Sequence, residues 1–154
     1  QTNQRLLPFL QLHLLIGLMR RISLFLLIAC LPGLALAEEA LAFIAYGGIP
    51  KTEQSVLQRL YTGRVVSIGD QVATPVNYPA GHPLRERFLA AIMAQSEEQY
   101  TGYWLVRRYV GKGAPPQVLP DVDAVVGYVM TTPGAVGYIP ASKVPPGANV
   151  IFKR

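Results

Sequence analysis

Tyr103-Trp104-Leu105-Val106-Arg107-Arg108-Tyr109-Val110-Gly111-Lys112-Gly113-Ala114-Pro115-Pro116 is the stretch around which the chain is organised. Up to Tyr109 it reads as a helix with bulky aromatics on one side. Gly111 suits the left-handed residue just past a helix end, because it has no Cβ to clash. Lys112 sits well against the negative pole of the helix dipole. Pro115-Pro116 forbids any continuation. Upstream, Ser96-Glu97-Glu98-Gln99 is a capping box, in which Ser and Gln each satisfy a free N–H. The stretch is thus a helix with a marked start, a large aromatic anchor and a rigid end. Trp104, Tyr100 and Tyr103 read as core packing.

Working outward, Leu41 to Ala45 is a short apolar run ending at Tyr46-Gly47-Gly48-Ile49-Pro50, a buried strand followed by a tight turn. Thr52 then caps a helix, and Glu53 favours its positive end. Val56, Leu57, Leu60 and Tyr61 form the apolar face of that helix, and Gly63 stops it. Arg64 to Ile68 and Gln71 to Asn77 read as extended, with Gly69-Asp70 as the turn between them. Tyr78-Pro79-Ala80-Gly81-His82-Pro83 is a loop, and Pro83 suits the first position of a helix. Leu84, Phe88, Ala91, Ile92 and Gln95 form its stripe. Beyond Pro116, Pro120-Asp121 opens an element whose Val122, Val125, Val126 and Val129 follow helical spacing, while their β-branching argues for a strand. Ala135 to Ile139 and Asn149 to Phe152 are the last strands. Helices and strands alternate, which implies an α/β fold: one compact layered domain with a mixed sheet flanked by helices.

The chain has 154 residues and a formal net charge of +5. Met19-Arg20-Arg21, the apolar run Ile22 to Leu36 and Ala35-Leu36-Ala37 before Glu38-Glu39 form a charged, an apolar and a small-x-small segment. That is the pattern of a secretory signal peptide cleaved between Ala37 and Glu38. Residues 1–37 are therefore expected to be an export region and 38–154 the exported, periplasmic domain. Two alternatives stay open. Leu27-Ile28-Ala29-Cys30 fits a lipobox that would lipidate Cys30. An uncleaved anchor is the other, although Ile22 to Leu36 is short for a span of about 20 residues. With residues 1–37 go Arg5, Arg20 and Arg21, which leaves 11 Lys+Arg against 9 Asp+Glu, and the one Cys. The basic balance is thus no argument for nucleic acid, and a disulfide is not expected.

Residues for catalysis are scarce. His13 lies in the export region and His82 stands alone, so a metal site has almost nothing to use. No Gly-x-Ser-x-Gly and no phosphate-cradling Gly-x-x-x-x-Gly-Lys-Ser/Thr occurs. Glu97-Glu98 and Asp121-x-Asp123 lie at helix starts, where carboxylates stabilise the dipole. An enzyme is not expected, and no cofactor. Two loops suit an anion, because each precedes a helix whose first N–H groups are free. One is Tyr46-Gly47-Gly48 before the Thr52 helix. The other is Gly81-His82-Pro83, where Arg85 in the first turn would add a bidentate donor and His82 a proton-dependent one. An ordinary turn with solvated arginines is the plainer reading of both.

The order of these segments carries a resemblance. Leu57-x-x-Leu60-Tyr61-x-Gly63-Arg64, Leu84-Arg85-x-x-Phe88, Tyr103-Trp104 with Gly111-Lys112-Gly113-x-Pro115-Pro116, and Pro133-Gly134-Ala135-Val136-Gly137-Tyr138-Ile139 resemble small relatives of the periplasmic phosphate-binding proteins of ABC transporters. The resemblance implies one lobe of a type 2 periplasmic binding protein. It implies a solute-binding protein for phosphate or a similar oxyanion, serving an ABC transporter. The alternative is a ligand-free interaction domain of the same fold serving an envelope or membrane partner. Full-length members hold phosphate with Ser-Gly-Thr at a helix start. The corresponding place here reads Asn77-Tyr78-Pro79-Ala80-Gly81-His82-Pro83, with the Gly and without the Ser and Thr.

Overall fold

The computed structural model describes residues 38–154, which form one unit by their contacts. The expected export region, Cys30 and the Ala37 side of the expected cleavage point lie outside the described residues. Strand β1 is Leu41–Ala45, and all five residues are buried. Helix α1 is Gln54–Tyr61. Two short strands, β2 (Ser67–Ile68) and β3 (Gln71–Val72), pair as a hairpin. Strand β4 is Thr74–Asn77, and helix α2 is Pro83–Phe88. The chain continues from α2 through a π-helical turn, Leu89–Met93, into helix α3, Glu97–Tyr109. Strand β5 (Gln117–Val118), helix α4 (Val122–Thr131), strand β6 (Ala135–Pro140), a 3₁₀ turn (Ala141–Lys143) and strand β7 (Asn149–Lys153) complete the order. Among the described residues no helix is long and apolar enough to cross a membrane.

The five-stranded sheet has the order β5-β4-β6-β1-β7. β4 runs parallel to both β5 and β6, while β1 runs antiparallel to β6 and β7. The sheet is therefore mixed, as the alternation of elements implies. Its two faces are covered by different helices. Gly137 meets Val125 and Val129 of α4, where an added Cβ would lie 2.7 Å from Val125 Cγ1. Tyr138 is next in the strand and so points to the other face. There it stacks on Phe88 of α2 at 4.5 Å and reaches Tyr61 of α1 at 6.0 Å. Phe43, its cross-strand partner, joins the same aromatic cluster at 5.5 Å. Burial on both faces explains why β1 and β6 are continuous apolar runs without alternation.

The Trp104 helix is built as its sequence implies. Ser96 Oγ accepts from the Gln99 N–H at 3.2 Å, and Gln99 Oε1 accepts from the Ser96 N–H at 2.9 Å. At the far end Gly111 has φ +73. Its N–H bonds the Arg108 carbonyl at 3.0 Å, and the Lys112 N–H bonds that of Arg107 at 2.8 Å, a Schellman closure. Trp104 is 5% exposed and Tyr100 is buried.

Three local expectations need correction. Thr52 does not cap α1. The N-cap residue is Glu53, which makes no side-chain cap bond, and the Thr52 N–H goes instead to the Ile151 carbonyl of β7 at 3.0 Å. Ala91 is exposed, because the wider π turn advances the buried stripe to Leu89, Ile92 and Met93. Gln54 and Gln58 hold that turn by donating to the Ile92 carbonyl at 3.0 and 2.7 Å, which makes α1 its bracket. Val65 and Val66 precede the hairpin strand and are not part of it.

Candidate functional site

β4 ends at Asn77, and the chain turns through Tyr78–His82 before α2. Gly81 sits at φ +84, a conformation that glycine adopts without strain, with open space where a Cβ would stand. The His82 N–H bonds the Pro79 carbonyl at 3.1 Å and closes the turn. The His82 ring stacks on Tyr78 at 4.5 Å, and its Nδ1 accepts from the Leu84 N–H at 3.1 Å. His82 is thus the N-cap of α2, satisfying one of the free N–H groups that an anion would otherwise meet.

Arg85 does not stand free beside that turn. It is 8% exposed, and its guanidinium faces inward. Nε and Nη2 bind the two carboxylate oxygens of Glu97 at 2.8 and 2.5 Å, and Nη1 donates to the Tyr78 carbonyl at 3.0 Å. Glu97 also accepts from Thr101 Oγ1 at 2.9 Å. A planar fork that is already bidentate to a carboxylate has little left for a ligand. The expectation that Arg85 reaches over the turn is replaced by an ion pair locking α2 to α3. The Glu97 of the capping box was legible as a helix-start acid; its partner was not.

Tyr46, Gly47 and Thr52 stand elsewhere. Ala45 pairs with Val136 and Pro75 is the parallel partner of Val136, so the turn after β1 lies at the end of the sheet where β4 begins. Gly81 and His82 follow the end where β4 finishes. The six residues therefore do not converge on one point. The Tyr46 and Ile49 carbonyls are held by Asn149 Nδ2 at 3.3 and 2.8 Å, which ties the first turn to β7.

Beside the Arg85 pair, between β4, β5 and α3, is a cavity of about 180 Å³. Asn77, Arg85, Tyr100, Trp104, Pro115 and Pro116 are among the residues that line it. Tyr100 Oη donates to the Tyr61 carbonyl at 2.8 Å. Burial pushes the Tyr100 hydroxyl up to about 12, against the smaller opposing pull of Trp104, Arg85 and Asn77. Asn77 is oriented by two donors: Tyr138 Oη at 2.5 Å and the Tyr78 N–H at 2.9 Å both go to its Oδ1. Its Nδ2 and the Trp104 Nε1 are buried without a hydrogen-bond partner. No site is expected here from the sequence; an Asn closing the apolar end of β4 is the one sequence signal for it. Among the described residues no group of three His, Cys, Asp or Glu stands close enough to hold a metal ion.

No family model and no curated protein matches the chain. Solved structures do. One is described as a phosphate ABC transporter substrate-binding protein with bound phosphate from Clostridium perfringens. It is 17% identical with a TM-score of 0.58, over 73% of this chain and 44% of that one. Another is an ABC-type phosphate transport receptor from Vibrio cholerae, 19% identical with a TM-score of 0.57, over 73% of this chain and 45% of that one. This chain thus spans less than half the length of either. At this identity the likeness concerns the fold, and residues 38–154 share the fold of part of the phosphate-transport binding proteins.

Proposed function

We propose that this chain is an exported, periplasmic solute-binding-like domain that meets a small oxyanion, such as phosphate, through the backbone of the Pro79–Pro83 turn. The position of that turn carries the reading. It follows the carboxyl end of β4, a strand parallel to both its neighbours, and it opens α2. In open α/β sheets ligands sit beyond the carboxyl ends of the strands. The fold match to two phosphate-transport proteins supports the same solute class. Arg85 is neutralised by Glu97, so the turn offers backbone dipoles without a free cation. One lobe covers one side of an anion, whereas good pockets bury most of a ligand. Affinity should be weak, about millimolar, or about 4 kcal/mol.

The test is a calorimetric titration of the chain with phosphate and sulfate at low salt. A saturable, salt-sensitive millimolar isotherm is expected, and no heat with either anion sinks the reading. Export is checked separately by N-terminal sequencing of the periplasmic product, which should begin at Glu38. A product starting at lipidated Cys30 would support the lipoprotein alternative, and one retaining Ile22 would sink both.

One observation favours the interaction-domain reading. Leu105, Val106, Tyr109 and Val110 lie exposed on the outer side of α3, and Tyr109 is 92% exposed. If the oxyanion titration is silent, that face is where an envelope partner would dock.

A further inference from the structure

The outer face of α3 is apolar where a solvated helix is polar. Leu105, Val106, Tyr109 and Val110 are spaced i, i+1, i+4, i+5 and so share one side of the helix, and each is more than half exposed. Tyr100 and Trp104 take the buried side. Eight large apolar side chains stand exposed among the described residues, and four of them are these. Single exposed apolar residues need no explanation, whereas a contiguous patch marks an interaction surface.

Cations flank the patch and carboxylates do not. Gln99 to Pro120 contains no Asp or Glu, and its charges are Arg107, Arg108 and Lys112. Gln54 to Gly69 contains none either, and its charges are Arg59 and Arg64. The fold joins the two stretches. Arg107 Nη2 donates to the Gly63 carbonyl at 3.2 Å, and the Arg64 guanidinium lies 6.0 Å from the Tyr103 ring. None of the five cations makes an ion pair among the described residues.

We propose that this corner docks on an anionic membrane surface, with Leu105, Val106, Tyr109 and Val110 entering the headgroup layer and Arg64, Arg108 and Lys112 meeting lipid phosphates. The charge decides the occupant. A second copy of the chain, paired by the two-fold usual in dimers, would set these cations against their own kind. The partner is therefore negative. Between lipid and an acidic protein, shape favours lipid. Tyr109 and its neighbours project from the end of a helix, and a headgroup layer receives that shape without having to match it. Tyrosine suits this depth, since its ring is apolar and its hydroxyl stays wet. Each Lys or Arg near an anionic surface adds an attraction that salt screens. The proposal rests on the interaction-face reading and not on the oxyanion one, whose calorimetry it leaves untouched.

An indole placed on the face tests the docking. The full chain carrying Tyr109→Trp is mixed with phosphatidylcholine vesicles with and without phosphatidylglycerol, all with acyl chains brominated close to the headgroup. Bromine quenches only an indole that reaches it. The readout is thus the depth of residue 109 and not capture of the chain, which the apolar run Ile22 to Leu36 can bring about by itself. Trp104, buried and the only native tryptophan, gives the baseline, measured on the unsubstituted chain. Quenching of the new indole is expected in the anionic vesicles, with little in the neutral ones, and raised salt should reverse it. Arg108→Gln with Lys112→Gln, both exposed changes, should remove most of the quenching, and Val106→Glu all of it; circular dichroism confirms the fold of each variant. Equal quenching in the two vesicles, or quenching unchanged by the charge variants, overturns the proposal. Absence of quenching in both also overturns it, and leaves the face to an acidic protein.

Discussion

The indole of Trp104 lies over Gly63 so closely that a Cβ placed on Gly63 would stand 2.8 Å from Cη2. Gly63 ends α1 at φ +67, and α3 clamps that end from above. Tyr103 Oη donates to the Thr62 carbonyl at 2.7 Å, and Arg107 Nη2 donates to the Gly63 carbonyl at 3.2 Å. The Arg107 guanidinium lies 5.6 Å from the Tyr103 ring and 5.7 Å from the Trp104 ring. The anchor of the chain and the first helix are thus joined at one point, with a glycine as the gap between them.

Gly63→Ala should therefore destabilise on two counts. The left-handed backbone costs a non-glycine residue about 1–2 kcal/mol, and the clash with the indole adds about 1–3 kcal/mol of overpacking. Trp104→Ala should cost about 3–5 kcal/mol, as buried aromatic truncations do. Chemical denaturation of the double mutant separates the two effects. In the Trp104→Ala background Gly63→Ala should cost only its backbone share, and strict additivity would show that the indole does not press on Gly63.

The Arg85–Glu97 pair gives a second test, aimed at its role. Glu97→Gln leaves a buried guanidinium without its counter-ion. Removing one partner of a fully buried pair costs about 3–5 kcal/mol, and with the Glu97 side chain 28% exposed about 2–3 kcal/mol is the reasonable expectation. Thermal unfolding should show the loss, while phosphate affinity of the still-folded variant stays within about twofold, under 0.5 kcal/mol. A fall in affinity with stability unchanged would return Arg85 to the ligand.

Much of this was legible in the residues, and the gaps have physical causes. Cap and stop chemistry is local, so Ser96, Gln99, Gly111 and Asp121 mark their helix ends from sequence alone; Asp121 Oδ1 does accept from the Ala124 N–H at 2.8 Å. The layered α/β sheet followed from the alternation of helices and strands. The partner of Arg85 did not, because Glu97 is twelve residues away and meets it only once the π turn has reversed the chain. Thr52 looked like a cap by type, yet its backbone is claimed by β7 from the far end of the sequence. The two glycine loops looked alike in sequence, and strand direction alone sends them to opposite ends of the sheet.

Ala94 offers a stabilising change. It follows the π turn at φ 51, the one non-glycine residue with positive φ among those described. It is exposed, so a substitution there disturbs no packing. Ala94→Gly removes the steric cost of the left-handed backbone and adds chain entropy to the unfolded state; the net gain should be about 0.5–1 kcal/mol. A higher denaturation midpoint with unchanged slope is the expected result. A loss of stability would mean that the turn is held by the Ala94 methyl.

The last prediction concerns alkaline pH. Burial raises Tyr61 and Tyr138 well above the ordinary phenol value. It also raises Tyr78, with the Asp121 charge adding to it, and carries Tyr100 to about 12. Each hydroxyl donates inside the core: Tyr61 to the Val76 carbonyl at 2.9 Å, Tyr78 to that of Tyr138 at 2.8 Å, Tyr100 to that of Tyr61 at 2.8 Å, and Tyr138 to Asn77 Oδ1 at 2.5 Å. A phenolate can neither donate these bonds nor shed the cost of its burial. In the unfolded chain a tyrosine ionises near its reference value of about 10. Because the folded values lie above the unfolded one, their contribution is complete below about pH 10 and is lost as pH rises toward the folded values, since the unfolded chain releases protons first. Denaturation midpoints should thus fall steadily from about pH 10 upward. Tyrosinate absorbance should rise in step with the loss of fold. Tyr100→Phe removes one such group; at neutral pH it should cost about 1 kcal/mol for the lost bond to Tyr61, and its decline above pH 10 should be shallower. If the four buried tyrosines ionise while near-ultraviolet circular dichroism remains native, their hydroxyls are not held in the core as described.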